Sequence, residues 1–225
     1  MPAVLTTGAN RGLGFEFARQ YAADGWQVFA TCRHPDSAPA LRGLGGRVVL
    51  IQLDVTDEAS IKNAAMLIEE PVDLLINNAG IIGPSERTGR IDCEAWRQVL
   101  DVNTIGPMRV VEAFIGHLAR SERKMVVTIT SGMGSIGDNS SGGSIPYRSS
   151  KAAVNMVMRT VAIDLSGRGI ISVVINPGWV RTDMGGLNAP FTASVSVNAI
   201  RRVIATVEPA DSGKFLNHDG REYPW

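Results

Sequence analysis

Apolar residues along the chain fall into two alternating patterns. Nearly unbroken runs rich in Val, Ile, Leu and Ala occupy residues 3–8 (AVLTTG), 26–32 (WQVFATC), 47–55 (RVVLIQLDV), 72–80 (VDLLINNAG), 124–131 (KMVVTITS), 170–178 (IISVVINPG) and 214–217 (KFLN). They show little period-two alternation, so they predict strands covered on both faces. Between them lie stretches of helical period. Residues 13–25 place Leu13, Phe17 and Tyr21 at four-residue steps and stop at Gly25. Residues 58–70 are amphipathic, 94–119 form a long helical stretch, and 195–207 form another. A further helix is predicted from Tyr147 onward. Strand and helix in alternation imply an α/β fold, a doubly wound and mainly parallel seven-stranded sheet with helices on both faces, in one domain spanning 1–225.

Such sheets bind ligands beyond the C-terminal ends of their strands, so the polar residues at those ends carry the chemistry. The first end reads TGANRGLG, with Gly8, Gly12 and Gly14 between a strand and a helix. Taken alone this is a tight turn. Placed before a helix, it lets backbone approach a pyrophosphate, and the helix N-terminus offers free N–H groups and a positive dipole end. Asn10, Arg11 and Leu13 belong to the same turn. The spacing is neither GxGxxG nor the GxxxxGK[ST] of nucleotide triphosphatases. An NAD site would carry a carboxylate about 20 residues on. Here the second strand ends in Cys32 and Arg33, and no carboxylate precedes Asp36. Two guanidiniums, Arg11 and Arg33, suit a 2′-phosphate, so NADP(H) is the expected cofactor, with NAD(H) as the alternative.

The segment IPYRSSKAAV sets Tyr147 and Lys151 four residues apart at a helix start. Residues so spaced share one helix face, about 5–6 Å apart at Cβ. In isolation the pair is an ordinary solvated first turn. Its company changes that reading.

Composition narrows the alternatives. Lys and Arg number 22 and Asp and Glu 22, so no basic field points to nucleic acid or an anionic membrane. No charged leader with a long apolar core opens the chain and no apolar run approaches a membrane span, so a cytoplasmic protein is expected. Cys32 and Cys93 have no metal or redox spacing and the three histidines are scattered, so no metal is expected. There is no GxSxG elbow, which disfavours a serine hydrolase.

TGANRGLG, NNAG (77–80), DVNTIG with Asn103, TSGMGS with Ser131, YRSSK and NPGWVRTDM occur in this order. Over essentially its whole length the chain resembles the short-chain dehydrogenase/reductase family, whose fold is Rossmann-type. The ending GKFLNHDGREYPW is most similar to the branch holding the C-factor developmental signal protein and sniffer-type carbonyl reductases. The resemblance implies an NADPH-dependent enzyme interconverting a small carbonyl compound and an alcohol; the C-factor likeness leaves open an NAD(P)-binding signalling protein of little turnover. It implies that Tyr147 is the general acid/base, with a pKa lowered by Lys151 and by the oxidised cofactor's charge. Lys151 would also hold the nicotinamide ribose, Ser131 would orient the substrate carbonyl, and Asn103 would anchor a water linking Lys151 to solvent. Asp54 and Val55 would flank the adenine. Asn77, Ala79 and Gly80 would shape the cofactor floor, and Pro177, Gly178, Val180 and Thr182 would contact the nicotinamide.

Two departures from the family pattern bear on the site. Sixteen residues separate Ser131 from Tyr147, more than usual, so Ser135 competes for the carbonyl-orienting role. The segment after Met184 is short, implying an open pocket or one completed by a partner subunit. The family also implies a homodimer or homotetramer joined through two apolar helices, one over 108–119 and the other carrying Ala153, Val154, Val157, Met158, Val161 and Ala162.

Overall fold

Seven strands form one sheet in a computed structural model that describes residues 1–225. In chain order the elements are β1 (Ala3–Thr6), α1 (Gly12–Ala23), β2 (Gln27–Cys32), α2 (Pro39–Arg42), β3 (Arg47–Gln52), α3 (Glu58–Leu67), β4 (Leu74–Asn77), α4 (Cys93–Leu100), α5 (Gly106–Arg120), β5 (Met125–Ile129), α6 (Ile145–Asp164), β6 (Ile171–Asn176), β7 (Val180–Arg181), β8 (Phe191–Thr192), α7 (Ala193–Thr206) and β9 (Phe215–Asn217). The sheet order is β3-β2-β1-β4-β5-β6-β9, and every neighbouring pair is parallel. The order reverses between β1 and β4. That places a crevice at their C-terminal ends.

Successive strand residues point to opposite faces, and both faces are apolar. Val4, Val28, Leu74, Ile76 and Val127 meet Phe17 and Tyr21 of α1 and Ile200 and Ile204 of α7. Leu5, Phe29, Leu75, Val126 and Val174 meet Ile61 of α3, Phe114 and Leu118 of α5, and Val154 and Met158 of α6. Each fully buried side chain of this size contributes about 1.5–3 kcal/mol, so the strand ends sit on a rigid base. The edge strand β3 is less covered: exposed and half-buried residues alternate from Arg47 to Leu50, and only Ile51 is buried. No helix is long and apolar enough to cross a membrane.

Three local features differ from the sequence expectation. The helix expected over 94–119 is two helices joined by a π turn at Asp101–Ile105. Pro107 has no N–H to donate to the carbonyl of Asn103 four residues back, so the regular ladder breaks there. The segment between β6 and α7 holds the short parallel pair β7–β8. Of the α6 stripe expected at a subunit interface, Val154, Met158, Val161 and Ala162 are buried in the chain's own core. The large apolar residues that α6 leaves outside are Met156 and Ile163, one heptad apart on one face, and they are 67% and 62% exposed.

Candidate active site

A cleft of about 740 Å³ opens where the strand order reverses. Its floor is the turn between β1 and α1. Gly8 has φ of 65°, and a Cβ there would lie 3.0 Å from Ala79 Cα. A Cβ on Gly14 would lie 2.3 Å from the Gly8 carbonyl oxygen. Only glycine allows helix and turn to approach this closely. Arg11, at the N-cap of α1, makes no side-chain capping bond. The first-turn N–H groups thus face the cleft without a side-chain acceptor, which suits a phosphate. Asn78 braces the turn: its Nδ2 donates to the carbonyls of Thr7 and Gly8, and its backbone N–H donates to Thr7 Oγ1.

The cleft walls hold Asn10, Arg11, Gly12, Leu13, Arg33, Asp54, Val55, Ala79, Gly80, Pro177 and Thr182 together with Gly8, Tyr147 and Lys151. Five residues expected at the cofactor stand behind the wall. Gly14 packs under the turn. Asn77 points into the core, donating to Pro107 O and Thr128 Oγ1, and its neighbour Asn78 lines the cleft. Asn103 is buried. Val180 is buried too, and Gly178 packs its backbone against Phe191 and His218. Sequence reasoning missed Cys32, His34 and Ser37 at the β2 end, whereas Met184, expected near the pocket, does line it. The first three lie next to Arg33 and were within reach of the same argument.

The two arginines differ. Arg33 is exposed on the cleft wall and makes no ion pair, whereas Arg11 reaches Asp183 at 2.8 Å across the opening. Asp36, the nearest carboxylate after β2, pairs with Arg42 at 2.7 Å and does not line the cleft. The Asp54 carboxylate accepts from Thr56 N–H and Oγ1 and closes the turn after β3.

Tyr147 and Lys151 stand on the first turns of α6, both buried, with the ammonium 5.8 Å from the phenol ring centroid. Lys151 Nζ donates to Ile129 O at 3.0 Å. Burial pulls its pKa down to about 8. Burial is also the larger influence on Tyr147. It pushes the phenol above its ordinary value, against the opposing pull of the Ser131 hydroxyl. Desolvation thus outweighs the lowering expected from Lys151, whose ammonium donates to Ile129 O. Ser135 is buried and committed, donating to Trp225 O at 3.0 Å and accepting from Asp138 N at 3.0 Å.

Asn103 sits in the π turn. Its Oδ1 accepts from Ile81 N, and its Nδ2 donates to Ile81 O and to Ser150 Oγ. The amide thereby ties the chain after β4 to the helix carrying Lys151, and it has no hydrogen bond to Lys151 itself. A Cβ on Gly80 would lie 3.2 Å from Asn103 Oδ1 and 3.7 Å from Lys151 Nζ, which explains glycine there.

The lysine pKa has a consequence for stability. An ordinary lysine titrates at 10.5 and the folded Lys151 at about 8, so between those values the unfolded chain holds the extra proton. The contribution of Lys151 to folding stability thus rises with pH across that window and is flat below it. Urea unfolding of cofactor-free wild type and Lys151→Met should differ by an amount that climbs with slope up to about 1.4 kcal/mol per pH unit from about pH 8 to about pH 10. A difference independent of pH would contradict the buried, readily neutralised amine.

Known proteins share this arrangement. Residues 2–190 match the family described as short chain dehydrogenase. C-signal of Myxococcus xanthus is 42% identical over 155 residues, covering 69% of this chain and 93% of that protein. The carbonyl reductase Sniffer of D. melanogaster superposes with a TM-score of 0.95 at 30% identity, covering 100% of both chains. The NADPH-bound carbonyl reductase from chicken fatty liver gives 0.94 at 35% identity, covering 100% of this chain and 99% of that one. Matched across most of its length in sequence and throughout in fold, the chain belongs to the short-chain dehydrogenase family and is an oxidoreductase.

Proposed function

We propose that the protein is an NADPH-dependent carbonyl reductase that converts a ketone or aldehyde to an alcohol, and the reverse when the alcohol is in excess. One observation carries the reading: a buried tyrosine with a raised pKa opens onto a cleft with the glycine turn, free helix N–H groups and unpaired Arg33 of a dinucleotide phosphate site. When bound there, NADPH supplies the hydride that reduces the carbonyl carbon. Tyr147, protonated at neutral pH, gives its phenolic proton to the carbonyl oxygen. The Ser131 hydroxyl donates a hydrogen bond to that oxygen and steadies its developing charge. Lys151 keeps a positive charge beside the phenol and would hold the ribose hydroxyls. Arg33, with Arg11 if it leaves Asp183, would hold the 2′-phosphate. Met184 on the cleft wall is exposed, which suits an apolar carbonyl compound.

A second reading rests on the likeness to C-signal: a cofactor-binding signalling protein of little turnover. NADPH consumption measured against a panel of ketones, aldehydes and quinones separates the two. The first reading predicts substrate-dependent consumption with at least one class. NADPH binding without consumption selects the second, and no binding of either dinucleotide contradicts both.

We further propose a homodimer or homotetramer in which the outward face of α6 is covered. Met156 and Ile163 form the uncovered apolar surface of this helix. A stable interface buries at least about 1,000 Å² in total. Light scattering at micromolar concentration should give twice or four times the chain mass of 24.0 kDa; a value equal to it would reject the assembly.

A further inference from the structure

We infer that residues 222–225 form a strap that positions Ser131 for carbonyl reduction, with Tyr223 and Trp225 as positioning residues. The inference rests on the reductase reading above. After β9 the chain turns at Gly220, whose φ is 87°, and runs back along the strand. Leu216 and Glu222 form an antiparallel bridge, and Tyr223 N–H donates to Phe215 O at 2.7 Å. The rings of Tyr223 and Trp225 lie 5.0 and 5.5 Å from that of Phe215, which is wholly buried in the core. The strap is thus keyed to the rigid sheet.

Two of its polar groups, the Trp225 oxygen and the Tyr223 phenol, reach one target, the loop 131–138. Trp225 O accepts from Ile136 N at 2.7 Å, Gly137 N at 2.8 Å and Ser135 Oγ at 3.0 Å. The Tyr223 phenol donates to Asp138 Oδ2 at 2.7 Å, and this bond holds it protonated, with its pKa raised. The tip of the phenol also abuts Gly132, where a Cβ would lie 2.7 Å from its oxygen. Asn176 at the end of β6 accepts from Gly132 N–H and donates to Asn217 of β9, joining the same loop to the strand that bears the strap. On its other side the loop is pressed on the catalytic helix: a Cβ on Gly134 would lie 2.8 Å from the Lys151 carbonyl carbon.

The loop therefore sits in a clamp between α6 and the strap, and the residue at its root is Ser131. With glycine at 132, 134 and 137, it has little rigidity of its own. Displacing a reacting or orienting group by about 1 Å can cost about a hundredfold in rate. The strap supplies the stiffness that the sequence of the loop lacks, and it occupies Ser135 in doing so, which leaves Ser131 as the serine beside Tyr147.

The test is a double-mutant cycle with Tyr223→Phe and Asp138→Ala, both at solvent-accessible positions. Each should lower kcat about tenfold, with unchanged NADPH affinity and unchanged melting temperature, because a loosened loop misplaces the Ser131 hydroxyl. The double variant should lose no more than either single one. Asp138→Asn, which keeps an acceptor oxygen, should restore most of the rate. Hydrogen exchange in residues 132–138 should quicken in Tyr223→Phe, a readout that needs no substrate. Wild-type kcat in both single variants, losses that multiply in the double, or unchanged exchange would each overturn the strap. Quickened exchange in a protein that reduces no carbonyl compound would instead overturn the reductase reading and leave the mechanical link standing.

Discussion

Tyr147→Phe should lower carbonyl-reducing turnover at least about a hundredfold, the usual worth of general acid catalysis, with NADPH affinity nearly unchanged. The substitution keeps the ring that packs at the root of α6 and removes one oxygen, which meets the Ser131 hydroxyl and makes a long contact of 4.0 Å to Met184 Sδ. Folding should therefore hold, and a loss of rate reports on the proton. The raised phenol pKa sets the direction of the pH effect. Below that value the group is the acid that reduction needs, so reduction should persist from neutral pH upward and decline only under alkaline conditions. Alcohol oxidation needs the phenolate and should gain as pH rises. A variant that retains most of its activity on a confirmed substrate would remove Tyr147 from the mechanism.

Arg33→Ala should weaken NADPH binding roughly ten- to hundredfold, the value of one charge-assisted hydrogen bond of about 1.5–3 kcal/mol. NADH binding should hardly change, since the 2′-phosphate is the only group that Arg33 would reach. The same substitution at Arg11 should cost less. Arg11 is already paired with Asp183, with both side chains well exposed, and must leave that pair before it can contribute. Isothermal titration of wild type and the two variants with both dinucleotides measures this. Equal or tighter binding of NADH by the wild type would contradict a 2′-phosphate site at the end of β2.

Seven strands and the order of the major helices were legible because each buried run is short, apolar and ended by polar or turn residues. The glycine turn was legible for a related reason: Gly8 and Gly14 are dictated by contacts that admit no Cβ, and such positions leave their mark on sequence. Other details were not. NNAG offers two adjacent asparagines, and only the three-dimensional strand end puts Asn77 in the core and Asn78 at the cleft. Apolar periodicity carries through Pro107, so the π turn that holds Asn103 was hidden, although the missing N–H of proline was a usable sign. The α6 stripe was visible, but a helix that covers a sheet and one that covers a partner show the same period, and four of its six residues serve the sheet. The pKa of Tyr147 depends on burial, which a Tyr–Lys spacing does not report. The commitment of Ser135 was hidden because its acceptor, Trp225 O, lies 90 positions further along the chain.

The central claim is that this site passes a hydride from NADPH to a carbonyl carbon while Tyr147 protonates the oxygen. Isotope transfer tests it most directly. Wild-type protein is given NADPH deuterated at the transferring position, in ordinary water, with the best carbonyl compound from the panel, and the alcohol product is analysed by mass spectrometry. The account predicts one deuterium on the carbinol carbon of each product molecule and almost no product from Tyr147→Phe under the same conditions. Alcohol formed without deuterium on that carbon, or labelled alcohol formed equally well by Tyr147→Phe, would contradict it.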